Sequence, residues 1–206
     1  MSPGTNAARL TMGHPRRLTT AAVLILQAWG LLLMVPVLAS MLAVSVGALS
    51  FAAPVAVLVA VTFLLPIGFG NPYVKRLVGP PPPDAGARSE CFIVQVTLNP
   101  RLHTGLRGLV EDADDFGYLC FTESELVFHG DSLQAIIPFD QIREVQRLGI
   151  RLRGLFLCKR RIAVVVSGLP QIESLEFAER SSWVLPASWA IARKLHERLG
   201  AAVKRA

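Results

Sequence analysis

The chain has 206 residues, 52% of them hydrophobic, and a formal net charge of +6. The charge does not favour nucleic-acid binding, because residues 84–206 hold 16 Lys and Arg against 15 acids, and the other five bases flank an apolar tract near the N-terminus. The sequence has no glycine-rich phosphate loop and no Cys/His spacing typical of a metal site. We therefore predict no catalytic residue, no metal ligand, no cofactor and no enzymatic activity.

The first predicted element is a membrane hairpin. No charged residue or histidine occurs from Leu18 to Val74, a run of 57 residues. As a helix this run would be roughly 85 Å long, whereas the core of one bilayer is about 30 Å thick. The tract therefore predicts a hairpin at 20–74, with spans near 20–44 and 53–70. Pro36 would kink the first span.

The flanks of this tract predict its orientation. Arginines precede it, Lys75 and Arg76 follow it, and the predicted turn has no base, so the positive-inside bias places both termini in the cytoplasm. We therefore predict a multi-pass protein of an inner (plasma) membrane, with a cytoplasmic tail at 1–19. A twin-arginine signal at Arg16-Arg17 is the rival interpretation, but the apolar run is too long for a signal peptide. Small residues at spacing four in both spans predict self-packing, or else contact with a second copy or a membrane-protein partner.

A proline-rich linker at 75–89, containing Pro80 to Pro83, should separate the hairpin from one compact domain at 90–206. Cys91, Cys120 and Cys158 form no CxxC pair, and in a reducing cytoplasm we expect them to be buried free thiols.

The domain is predicted to be strands followed by one helix. Apolar alternation and turn residues predict strands at 92–98, 117–122, 125–129, 133–138, from residue 147 onward, 162–167 and 174–178. Pro186 should begin a helix whose Ile191, Leu195, Leu199 and Val203 lie on one face at spacing four. Many short strands with one terminal helix favour a small barrel or sandwich, so the predicted fold class is α+β.

Three segments in this region carry a family resemblance: Gly117-Tyr118-Leu119-Cys120-Phe121-Thr122, then Glu125-Leu126-Val127-Phe128, then Ile136-Ile137-Pro138-Phe139-Asp140-Gln141-Ile142. They resemble the middle of a pleckstrin-homology-like domain of the GRAM or bacterial type. The resemblance implies a seven-stranded barrel-like sandwich plugged at one end by the C-terminal helix, and a binding or scaffolding role at membranes. Phosphoinositide binding is not implied, because the bases after the first strand, Arg101, His103 and Arg107, are followed closely by four acids.

Charge is segregated within the domain. Eight acids and no base lie between Arg107 and Arg143, whereas seven bases and one acid lie from Arg143 to Arg161. One interpretation is internal pairing of acidic with basic strands. The other is a basic face that contacts anionic lipid headgroups, with residues 155–157 either an apolar loop tip or a buried strand. The predicted contact residues are Arg147, Arg151, Arg153, Phe156, Lys159, Arg160 and Arg161.

The sequence thus predicts a membrane-anchored binding or scaffolding module that contacts anionic lipid headgroups or a protein partner. The alternative is an accessory or assembly subunit of a larger membrane complex, held through its transmembrane hairpin. Both are binding functions, and neither requires a cofactor.

Overall fold

The computed structural model describes residues 7–13, 78–81, 90–102, 113–148, 160–169, 171–182 and 185–206. They form eight strands and one α-helix, with short 3-10 turns at Pro100–Leu102 and Phe139–Gln141. The strands are β1 (Arg9–Met12), β2 (Glu90–Leu98), β3 (Asp115–Phe121), β4 (Glu125–Gly130), β5 (Leu133–Pro138), β6 (Ile142–Leu148), β7 (Arg161–Val166) and β8 (Ser174–Glu179), and the helix is α1 (Leu185–Val203).

All eight strands belong to one antiparallel sheet in the order β1-β5-β4-β3-β2-β8-β7-β6. The sheet curls around its core. The rings of Phe128 on β4 and Phe177 on β8 lie 6.4 Å apart, although two other strands separate β4 from β8 in the sheet. Side chains from β2 to β8 consequently meet in one apolar cluster, and burial of this surface stabilises the domain.

Helix α1 covers this core with its apolar face. Leu195 and Leu199 are fully buried, and Ile191 and Val203 pack against the same cluster while half-buried. The predicted helix and its apolar face at spacing four are confirmed. The charged residues between these positions face outward, as expected for an amphipathic surface helix.

The central strands are buried on both faces. Leu119 of β3 points into the main core, and its neighbours Phe116, Tyr118 and Cys120 form a second apolar cluster with Ile93 of β2. Two-sided burial explains why β3 lacks the polar alternation of an outer strand.

The prediction of free thiols is wrong for two of the three cysteines. Cys91 and Cys120 lie directly opposite each other on β2 and β3 and form a disulfide. Their side chains share the second face of the sheet, and this proximity was not visible without the strand register. Cys158 lies outside the described residues.

The strand predictions within the domain are confirmed in position, with boundaries shifted by at most two residues, except for the fifth. That strand begins at Ile142, five residues before the predicted start, and a bulge between Ile142 and Glu144 interrupts the alternation that would have revealed it. The predicted continuation of this strand beyond Leu148 falls on residues outside the described ones.

The predicted fold class, a transmembrane helical hairpin joined to a helix-capped sandwich, is wrong, and so is the predicted multi-pass location in an inner membrane. Within the ranges given above there is one α-helix, and no helix there is both long enough and apolar enough to cross a bilayer. Helix α1 carries Arg193, Lys194 and Glu197 on an exposed face, and the described apolar side chains are buried mainly in strands of at most nine residues. The predicted spans at 20–44 and 53–70 lie outside the described residues.

The N-terminal segment contributes a strand that the sequence did not reveal. Arg9 to Met12 pair with Leu133 to Ile136 of β5, and the Ala8 N–H donates to Oε1 of Gln141 at 3.0 Å. The described part of residues 1–19 is therefore packed on the same sheet as the C-terminal region.

Candidate functional site

The structure describes three of the seven predicted contact residues. They are Arg147 at the end of β6, Arg160 just before β7, and Arg161, the first residue of β7. Arg151, Arg153, Phe156 and Lys159 lie outside the described residues, as does the question of whether 155–157 is a loop tip or a strand.

Arg161 is directed into the protein. Its side chain is 3% exposed, and its Nη1 lies 3.3 Å from Oε2 of Glu176 on β8. Burial lowers the pKa of Arg161, and the charge of Glu176 opposes that shift. A guanidinium held this way stabilises the packing of β7 on β8 and is not placed to contact a surface outside the domain.

Arg147 and Arg160 are placed differently. Arg147 is exposed and pairs across the ladder with Ile162. Arg160 lies one residue before β7 and two residues before Ile162, so strand alternation continued to Arg160 would put it on the same face of the β6–β7 hairpin as Arg147. Diagonal neighbours of this kind are about 7–8 Å apart at their Cα atoms, close enough for two long side chains to act on one partner.

An aromatic ring completes this cluster. The guanidinium carbon of Arg160 lies 4.9 Å from the centre of the Trp189 ring, within the range of a cation–π contact. Trp189 is half-buried near the start of α1, so the ring joins the helix to the hairpin and leaves part of its surface at the solvent. We call Arg147, Arg160 and Trp189 the basic corner.

A buried carboxylate fixes the helix beside this corner. Glu179 at the end of β8 accepts hydrogen bonds from the backbone N–H of Ser182 and the Oγ of Ser181, both at 2.6 Å, and from the Oγ of Ser188. Ser188 precedes Trp189 directly, so Glu179 holds the first turn of α1, and with it the indole, against the sheet. The position of the basic corner is therefore set by the fold.

Two bases of α1, Lys194 and Arg198, are engaged by a carboxylate. Nζ of Lys194 lies 2.5 Å from Oε1 of Glu90, and Nε of Arg198 lies 3.5 Å from Oε2 of the same residue. These partly exposed ion pairs contribute little stability each, but they partly neutralise the bases that share Glu90. Lys194 and Arg198 are therefore less available to an anionic partner than Arg147, for which no carboxylate partner is seen among the described residues.

The chemistry available at the basic corner is that of a contact surface. Guanidinium groups can donate hydrogen bonds to anionic oxygens. A partly exposed indole ring is suited to a boundary between apolar and aqueous surroundings. Among the described residues, no group of three His, Cys, Asp or Glu side chains is arranged to hold a metal ion.

Sequence reasoning missed Trp189, although it named both arginines. The ring lies 29 positions after Arg160 in the chain, so only the packing of α1 on the hairpin shows that they meet. The available signal was a bulky aromatic residue in the first turns of a helix, at a position outside the Ile191–Leu195–Leu199 stripe.

No model of a known protein family matches this chain, and no sequence among the curated proteins matches it. The resemblance to pleckstrin-homology-like domains consequently stays a prediction from the three sequence segments that suggested it.

Proposed function

We propose that this chain is a binding module whose basic corner contacts anionic lipid headgroups. The observation that carries the proposal is the exposed Arg147 at the end of β6 together with the half-buried Arg160, whose guanidinium contacts the half-buried ring of Trp189. Arg151, Arg153 and Lys159 lie between them in the sequence and would add to the positive charge of this surface.

Local arrangement matters more here than total charge, because residues 84–206 carry a net charge of only +1. Each Lys or Arg near an anionic bilayer surface contributes about 1 kcal/mol to binding. Loss of both arginines should therefore weaken binding about 30-fold. The indole ring would lie at headgroup level, which Trp prefers.

The resemblance to pleckstrin-homology-like domains supports the same function. Seven antiparallel strands from Glu90 onward, followed by a helix over the core, are compatible with such a domain. We propose no role as a membrane-complex subunit, because that alternative depended on the transmembrane hairpin.

The test is sedimentation of the full chain with phosphatidylcholine vesicles, with and without phosphatidylserine. The difference between the two lipids isolates the electrostatic contribution from any apolar association of the chain. The double variant Arg147→Gln/Arg160→Gln should lose most of the phosphatidylserine-dependent binding, whereas Arg147→Lys/Arg160→Lys should retain it because the charges are kept.

A matched control is Lys204→Gln/Arg205→Gln, which also removes two positive charges and changes two exposed residues. Arg205 is exposed and lies 16 residues beyond Trp189, about 24 Å away if the helical rise is extended to it. This control removes two positive charges without touching the basic corner and should lower binding far less. Equal losses for the control and the double variant, or phosphatidylserine-dependent binding that survives in the double variant, would overturn the proposal.

A further inference from the structure

A cleft of about 410 Å³ lies at the other end of β7 from the basic corner. Residues from the β2–β3 and β7–β8 connections form it, and the described lining residues are Asn99, Leu102, Leu169, Gln171, Ile172, Glu173 and Ser174. The six residues of β7 separate the two sites by about 20 Å. The volume is within the range of pockets that bind small molecules and is more than enough for one side chain.

The walls of this cleft are fixed in place by Asn99. Its Oδ1 accepts hydrogen bonds from the N–H groups of Glu173 at 2.8 Å and Ser174 at 3.4 Å, and its Nδ2 donates to the carbonyl oxygen of Gln171. The backbone N–H of Asn99 also donates to the carbonyl of Ser174 at 2.9 Å. One side chain thus ties the two connections together, so a bound group would meet a preformed cleft.

Two non-glycine residues at this cleft adopt left-handed backbone conformations. Asn99 has a φ of 41° and Gln171 a φ of 65°. Asn tolerates this region, but for Gln it is uncommon and costs about 1–2 kcal/mol. Such conformations persist where the surrounding structure enforces them, and they concentrate at binding sites.

The described lining combines apolar side chains with one carboxylate. Leu169 is buried, Ile172 is half-buried, and Leu102 exposes 76% of its surface. Glu173 is exposed and is the one charged residue among the described lining residues. An occupant that matches this lining has an apolar stem and a positively charged end, which is the make-up of a lysine side chain.

We infer that this cleft binds a lysine side chain of a protein partner, with the methylene stem against Leu102 and Ile172 and the ammonium group at Glu173. Because the cleft and the basic corner lie at opposite ends of β7, a chain bound to an anionic surface through the corner keeps the cleft accessible. The module would then connect an anionic surface to a basic partner. The cleft inference does not depend on lipid binding.

The experiment uses isotopically labelled full chain and the peptide acetyl-Gly-Leu-Lys-Leu-Gly-amide as probe. We expect amide resonances of residues 171–174 to shift on titration. A peptide with Glu in place of Lys should bind markedly more weakly, because it places a carboxylate beside Glu173. Shifts confined to other regions, or equal affinity for the two peptides, would overturn the inference.

Two variants test the proposed contacts. Glu173→Gln should weaken binding of the lysine peptide up to about fivefold, as expected for loss of one exposed ion pair, whereas the control Glu197→Gln removes an exposed acid of α1 and should change nothing. Leu102→Ser should also weaken binding, and since this side chain is largely exposed the fold should tolerate the change. Affinity unchanged in both variants contradicts the inference.

The double variant Arg147→Gln/Arg160→Gln separates the two proposals. It should bind the lysine peptide as tightly as the wild type does, even if its vesicle binding is lost. A loss of peptide binding in this variant would contradict an independent cleft.

Discussion

The same substitution at two glycines should change stability in opposite directions. Gly117 lies in the middle of β3 and pairs with Gly130 of β4, and a Cβ at position 117 would lie 2.1 Å from the carbonyl oxygen of His129 and 2.6 Å from the Cα of Gly130. Both contacts are with backbone atoms of a paired strand, so no side-chain rotation relieves them. We expect Gly117→Ala to lower the free energy of unfolding by about 3 kcal/mol or more.

Gly200 provides the matched comparison. It lies inside α1, and a Cβ there would meet nothing within 4 Å. Replacing a helical glycine by alanine removes conformational freedom from the unfolded chain, so Gly200→Ala should raise stability by up to about 1 kcal/mol. For a domain of about 100 residues this corresponds to an increase in Tm of about 4–8 °C.

Circular dichroism during urea and thermal unfolding of the full chain measures both variants. Because β3 approaches β4 closely, Gly117→Ala should unfold at a lower urea concentration and a lower temperature than the wild type. A Gly117→Ala variant within 1 kcal/mol of the wild type would show that the two strands are not paired in this register. A destabilised Gly200→Ala variant would contradict the open surroundings of that helical position.

Two further predictions concern buried groups of β3. Burial raises the pKa of Asp115, although backbone N–H groups of Ser132, Phe116 and Leu133 bond its carboxylate and oppose the shift. The native chain therefore binds a proton at Asp115 more tightly than the unfolded chain does. The stability that this proton contributes is present below pH 3.8 and is lost as the pH rises through the raised pKa. Asp115→Asn should lack this pH dependence when the free energy of unfolding is measured across a pH series. Reduction of the Cys91–Cys120 disulfide, whose cysteines are 29 residues apart, should lower the free energy of unfolding by about 3–4 kcal/mol. Equal urea midpoints with and without dithiothreitol would contradict a native disulfide.

Local patterns in the sequence were sufficient for the strands and the helix of the C-terminal region. Leu195 and Leu199 recur at helical spacing, and the turn residues between β3, β4 and β5 mark where each strand ends. Such signals depend on neighbours in the chain. The edge strand Arg9–Met12 has only four residues and gives no such signal, because its position depends on pairing with β5, more than 120 residues away.

The features that the sequence did not reveal depend on strand register and on the packing of the helix against the sheet. Cys91 meets Cys120 because β2 and β3 pair in one register, and Trp189 meets Arg160 because α1 packs across the hairpin. A shift of one residue in the β2–β3 register would place the two cysteines on opposite faces of the sheet. The candidate site could therefore be predicted as a set of bases, but the aromatic ring within it could not.

The basic run from Arg143 to Arg161 contains residues with two different roles, and this decides how its function can be tested. Arg161 forms a buried pair with Glu176, and removing one member of such a pair leaves an uncompensated buried charge, at a cost of about 3–5 kcal/mol. A variant that replaces every base of the run would therefore lose stability and surface charge together, and its failure to bind would have no single cause. Arg147 and Arg160 lie outside the core, so their variants remove charge while Arg161 and Glu176 keep the sheet intact. We therefore expect Arg161→Gln to unfold at a lower urea concentration than the wild type. We expect Arg147→Gln/Arg160→Gln to unfold at the same urea concentration as the wild type but no longer to bind anionic vesicles.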